Sequence, residues 1–120
     1  KPLYACKYHM ARGHWQIIHR DNAGESHYGR VDPVPLAEVP RKVIELAPRS
    51  ASLIGDGLYG VDLKSCGNRV VVMEINDNPS IDSGFEDKIV GHEGLYGSIM
   101  DYFRRKLDER GVKAVRVAAM

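Results

Sequence analysis

Three oxygen-bearing side chains stand out by type and spacing: Asp62 in the run Gly60-Val61-Asp62-Leu63, and Glu74 and Asn76 in Val72-Met73-Glu74-Ile75-Asn76-Asp77-Asn78-Pro79. Both runs are apolar enough to be strands. Strand side chains alternate between faces, so Glu74 and Asn76, two apart, share one face while Met73 and Ile75 take the other. Magnesium takes oxygen ligands, holding one or two carboxylates and completing its shell with water and substrate phosphates. Two carboxylates and an amide oxygen on neighbouring strands are therefore the layout of a magnesium-nucleotide site.

Asp62 joins the other two only if the strands are in the right register. A three-residue loop Cys66-Gly67-Asn68 sets Ser65 opposite Arg69 and Asp62 opposite Val72, which leaves Asp62 on the Glu74 face, one diagonal away. A two-residue Gly67-Asn68 turn shifts the register and separates the two carboxylates onto opposite faces. The chemistry predicts the three-residue loop.

These residues resemble the ATP-grasp superfamily, most closely its RimK-like and glutathione-synthetase-like ligases, in which a Gly-Val-Asp strand precedes a strand ending in Glu-x-Asn-x-x-Pro. The resemblance is close from Gly57 to Asp87 and looser from Lys1 onward and through the last helix. It implies the carboxyl-terminal subdomain of an ATP-grasp fold, an α+β arrangement with a mostly antiparallel sheet backed by two helices. It also implies a parent enzyme that joins a carboxylate to an amine through an acyl-phosphate, using ATP and two magnesium ions. Asp62, Glu74 and Asn76 would then be the metal ligands, with Glu74 bridging the ions.

The same resemblance sets Met73, the residue before the glutamate, against adenine, although strict alternation turns it to the other face. It makes Asn78 and Ser80 contacts of the acceptor substrate. Two departures stand out. Ser80 occupies a position where the family commonly has glycine, and the family's phosphate-facing Arg-x-Asn pair is replaced by Gly13-His14-Trp15-Gln16-Ile17-Ile18. Lys7, Arg12, His14 or Gln16 could supply those donors, with Lys7 and Arg12 the nominated nucleotide contacts; the sequence leaves the choice open. The implied partners are the amino-terminal part of the same polypeptide, which would cover the nucleotide, and carboxylate and amine substrates such as an amino acid or peptide. A homo-oligomer is compatible. The alternative is a non-catalytic nucleotide- or metal-binding regulatory module.

The chain has 120 residues, enough for one domain with a core but few for a complete ligase. It opens inside an apparent strand, Pro2 to Tyr8, without an initiator methionine, so the expectation is the carboxyl-terminal portion of a longer protein. Seventeen Lys and Arg against sixteen Asp and Glu leave a net charge of +1, too small a field to draw in nucleic acid or an anionic membrane. The basic run Arg104, Arg105, Lys106, Arg110, Lys113 and Arg116 reads as a solvated helix face. Cys6 and Cys66 form no metal or disulfide pattern, which suits a reducing cytoplasm. No apolar run approaches the roughly 20 residues that span a bilayer.

The elements that must position the site follow from periodicity and punctuation. Strands are expected at Leu3 to His9, Trp15 to Arg20 and about Ser26 to Gly29, as a meander with a turn at Asp21-Asn22-Ala23-Gly24. His9, His14 and His19 recur every fifth residue, an odd step that puts His14 on the opposite strand face from the others and argues against a shared metal. Trp15 belongs in the core or at a sheet edge. Val31-Asp32-Pro33-Val34-Pro35 reads as an extended connector. A helix follows from about Leu36 or Glu38 to Ile54, with Pro40 in its first turn and a kink or break at Pro48.

Gly55-Asp56-Gly57-Leu58-Tyr59-Gly60 spells Gly-x-Gly-x-x-Gly but follows a helix and opens a strand. That is the reverse of a dinucleotide-binding turn. Asp77 to Asp87 reads as a polar loop. From about Glu93 to Glu109 a second helix carries Leu95, Ile99, Tyr102, Phe103 and Leu107 as a core stripe and stops at Gly111. The tail Val112 to Met120 is left as disordered or an added strand.

Overall fold

Local chemistry shapes the first half of the computed structural model, which describes residues 1–13, 16–84 and 86–110. The expectations for His14, Trp15, Gly111 and the tail lie outside that set. Strand β1 (Ala5–Tyr8) pairs antiparallel with β4 (Val31–Val34), and β2 (Ile18–Arg20) with β3 (Ser26–Tyr28). The expected meander is thus divided, and the proline-rich run read as a connector is a strand. Pro33 stands opposite Cys6; lacking an N–H, it suits a strand at the sheet edge. The turn between β2 and β3 is built by Asp21, whose Oδ1 accepts the N–H groups of Ala23 and Glu25, both at 2.9 Å.

The expected first helix is also divided. A 3-10 turn covers Leu36–Glu38, Val39 and Pro40 are extended (ψ 131° and 135°), and α1 runs Arg41–Ala51. The reason is Pro40, whose ring pushes the preceding Val39 out of the helical region. Pro48 does not break α1, which continues to Ala51. It lies in the last turn, where the Ser52 N–H still reaches its carbonyl at 2.9 Å and the Ser50 hydroxyl donates to the Leu46 carbonyl at 2.8 Å.

Strands β5 (Gly60–Cys66) and β6 (Arg69–Asn76) form a hairpin on which α1 packs. Among the described residues the strands therefore form separate two-stranded antiparallel sheets, which with α1 and α2 (His92–Glu109) make an α+β fold. The buried apolar side chains among the described residues are Ala11 and Leu95. The α2 stripe is core only at one end. Leu95 is fully buried and Ile99 and Tyr102 half-buried, whereas Phe103 and Leu107 are 46% and 48% exposed. Among the described residues no helix is long and apolar enough to cross a membrane.

Candidate metal and nucleotide site

The β5–β6 turn is the two-residue Gly67-Asn68 connection. Cys66 pairs with Arg69, Ser65 with Val70, Lys64 with Val71 and Leu63 with Val72. Gly67 has φ +58°, and Asn68 is not at positive φ, the pattern of a type II′ hairpin turn with glycine first. The predicted three-residue loop is overturned, because glycine at that position closes the tighter turn without strain.

Asp62 nevertheless shares a face with Glu74. Between Leu63 and Asp62 the register shifts by one, so that Asp62 pairs with Glu74, Val61 with Ile75 and Gly60 with Asn76. Met73 is the extra residue of a β-bulge, and one inserted residue exchanges the faces of everything beyond it. The tight turn and the bulge offset each other in parity. Asp62 and Glu74 become direct cross-strand neighbours instead of diagonal ones, a position at which Cβ atoms lie about 4.5–5.5 Å apart.

Both carboxylates are exposed, and neither has a hydrogen bond or ion pair among the described residues. Like charges directly opposed across a ladder are destabilising, so this pair is a place where a cation would be welcome. Asn76 completes the face two residues beyond Glu74. Its Oδ1 accepts the Asn78 N–H at 2.9 Å, which fixes the side chain at the strand exit and leaves one lone pair of that oxygen available. Gly60, opposite, gives Pro79 room to fold back: a Cβ there would stand 3.0 Å from the Pro79 Cβ. The glycine and proline of the motif thus meet in space.

The remaining predicted residues are dispersed. Met73 is 64% exposed, and as the bulged residue it escapes the alternation that turned it inward. Lys7, exposed on β1, stands opposite Asp32, and Arg12 is exposed in the turn at residues 12 and 13. Gln16 is likewise exposed, its carbonyl accepting the Ala11 N–H at 2.7 Å. None of the three is bonded to Asp62 or Glu74, and β1 belongs to a different sheet from β5. Asn78 lines an open groove of about 420 Å³ with Gly57, Leu58, Tyr59, Asp77, Pro79 and Phe103. Ser80 follows Pro79 as an exposed residue outside that lining.

Two features were not anticipated from sequence. In the loop after Pro79, Glu86 and Asp87 are buried at 6% and 7% exposure. Glu86 accepts the Asp82 N–H at 2.7 Å and the Tyr8 hydroxyl at 3.2 Å, while Asp87 accepts the Gly84 N–H at 2.6 Å. Their carboxylates tie the loop to itself and to β1. Burial, with the neighbouring Glu86 charge, pushes the Tyr4 and Tyr8 hydroxyls up to about 12 and raises the Cys6 thiol. The available signal was carboxylates three and four residues after free turn N–H groups.

The second feature is a cluster of Asp21, Glu25 and His27, with one ligand atom of each within 4.8 Å of the others. The turn accounts for it: Asp21 caps the backbone through one oxygen and meets His27 Nε2 at 2.9 Å through the other. The His27 hydrogen bond, helped by backbone N–H groups, holds Asp21 below its usual carboxylate range. His9 is similarly engaged with Asp32 at 2.9 Å. Arg30 foremost, and His9 with it, keep Asp32 low.

No family model matches this sequence, and neither the curated proteins nor the solved structures contain a match to it.

Proposed function

We propose that the Asp62–Glu74–Asn76 face binds magnesium together with nucleotide phosphates, and that the chain is the carboxyl-terminal, metal-bearing part of an ATP-grasp-like carboxylate-amine ligase. The carrying observation is the pair of carboxylates directly opposed on β5 and β6 and unpartnered among the described residues. Their oxygen chemistry, with the Asn76 amide oxygen alongside, fits a hard divalent cation. Bound there, magnesium would neutralise phosphate charge. Asp62 and Glu74 would hold it, Asn76 would orient the strand exit, and Asn78 would stand toward the acceptor groove. Such a site works by positioning and charge neutralisation and needs no protein nucleophile.

In this reading an amino-terminal part of the same polypeptide supplies most phosphate donors and the adenine pocket, and a carboxylate and an amine are the substrates. The location would be cytoplasmic, with which the free thiols of Cys6 and Cys66 are compatible. A second reading is a metal- or nucleotide-binding module without ligase chemistry. It is favoured by the placement of Lys7 on another sheet and of Arg12 in a turn outside β5 and β6.

Calorimetric titration with magnesium, alone and with ATP, tests the site. Magnesium releases water reluctantly and relies on phosphates to complete its shell, so the 120-residue chain is expected to bind magnesium-ATP at about millimolar strength, near 4 kcal/mol, and Glu74→Gln to remove the response. A response unchanged in Glu74→Gln would refute the assignment. Turnover of candidate acceptors by the full-length protein, lost in the same variant, separates the ligase from the binding module.

A further inference from the structure

Helix α2 carries two apolar seams. Leu95, Ile99, Tyr102 and the stem of Lys106 face the rest of the chain: Leu95 is fully buried, the others are half-buried, and both the Tyr102 hydroxyl and the Lys106 ammonium bind Asp56. The second seam, one residue further round the helix, is Tyr96, Met100, Phe103 and Leu107. Met100, Phe103 and Leu107 are 67%, 46% and 48% exposed and Tyr96 is half-buried; Phe103 and Leu107 also border an open hollow with Asp56 and Gly57. Steps of four, three and four residues are those of a coiled-coil seam. A solvated face would carry polar residues there.

We propose that this seam is a homodimer interface, covered by α2 of a second copy running antiparallel. The argument is self-complementarity under a two-fold axis, which requires each residue to meet its mirror position along the seam. An axis between Asp101 and Tyr102 places Met100 against Phe103 and Tyr96 against Leu107, each twice, so every layer is apolar. Continuing the heptad puts Glu93 at one end of the seam and Arg110 at the other. The same axis brings them together as opposite charges at both ends.

A parallel arrangement would instead set Glu93 on Glu93 and Arg110 on Arg110. The helix dipoles also favour antiparallel neighbours. Eighteen helical residues span about 27 Å, and one helix pair of that length buries an area at the low end for specific interfaces. The dimer is accordingly weak and reversible.

Sedimentation equilibrium of the 120-residue chain from about 1 to 200 µM reads this directly. The expected result is a reversible monomer–dimer equilibrium with a Kd on the order of 10 µM. Met100→Glu and Phe103→Glu should each abolish it while circular dichroism stays unchanged, both side chains being exposed. Glu93→Arg or Arg110→Glu alone should weaken it about tenfold, since each spoils two symmetry-related pairs. The combined reversal should restore it. A monomer at every concentration, a dimer that survives Met100→Glu, or a charge reversal that the second reversal does not repair would each overturn the proposal.

Discussion

Glu74→Gln should make the metal-free protein more stable. The reason is the cross-strand position: Glu74 and Asp62 are paired carboxylates with no counter-charge bonded to either among the described residues. At about 5 Å in water-like dielectric their repulsion is about 0.8 kcal/mol, and measured cross-strand charge pairs span about 0.2–1 kcal/mol. A gain of roughly 0.6 kcal/mol, with an m-value of about 1.3 kcal/mol/M, moves the urea midpoint up by roughly 0.5 M. Asp62→Asn should give the same gain. The double variant should add almost nothing, because removing either charge ends the repulsion and the two changes share one interaction.

Urea unfolding in chelator at low ionic strength measures this, and repetition at about 1 M salt, where the screening length falls to about 3 Å, should erase most of it. Magnesium-ATP at about 10 mM, tenfold above the expected Kd, should stabilise the unaltered chain by about 1.4 kcal/mol and neither variant. A Glu74→Gln chain less stable than its parent at low salt, or two single effects that simply add, would mean that the carboxylates do not face each other as the bulge places them.

Two further outcomes follow from the packing of the amino-terminal strands. Gly29→Ala should destabilise by about 2–4 kcal/mol: the new Cβ would lie 1.6 Å from the His9 carbonyl oxygen, and relieving that contact strains the bonds from Gly29 N–H to Ile17 and from His9 N–H to Arg30. Unchanged denaturation would show that the chain does not cross there so closely. The Tyr4 and Tyr8 hydroxyls, raised in the folded state from 10.0 to about 12 by burial and by Glu86, contribute stability that is full below pH 10 and is lost as the pH climbs through 12. Phenolate absorbance should therefore lag behind that of the unfolded chain, and Tyr8→Phe should reduce the alkaline loss; native titration at the ordinary value would contradict the buried contact with Glu86.

The hairpin and the shared face of its oxygen donors are legible in local sequence, whereas features decided by non-local packing are not. Val39 was forced into extended backbone by Pro40, a neighbour effect visible in two letters. By contrast, the pairing of β1 with β4 cannot be read from Val31 to Val34, since nothing in a proline-containing run says which distant strand it will edge. The α2 periodicity marked apolar positions correctly, but not that Leu95 would be covered by the chain while Met100, Phe103 and Leu107 stayed open. Glu86 and Asp87 looked like solvated loop residues because burial of a carboxylate depends on donors that arrive from elsewhere, here the Tyr8 hydroxyl and the Asp82 and Gly84 amides.

The bulge at Met73 has its cause in the residue order of β6. Val70, Val72 and Ile75 lie on one side of the hairpin, with Val61 and Leu63. The step from the half-buried Val70 to Ile75 is odd, and a regular ladder cannot turn both inward. Without an inserted residue, Glu74 would pair with Val61 and pass to that side, and Ile75 would turn to solvent. Exposing Ile75, which is half-buried, forfeits about 1 kcal/mol, and an unpaired carboxylate drawn to the covered side would cost several more. A bulge that loses one ladder contact, together with the sub-kcal repulsion between Asp62 and Glu74, is the smaller expense. Packing of the hairpin's covered side therefore selects the bulge, and the bulge sets the two carboxylates face to face: the residual tension at the surface is a by-product of half-covering Ile75 and keeping Glu74 out, and it is that tension which a cation would relieve.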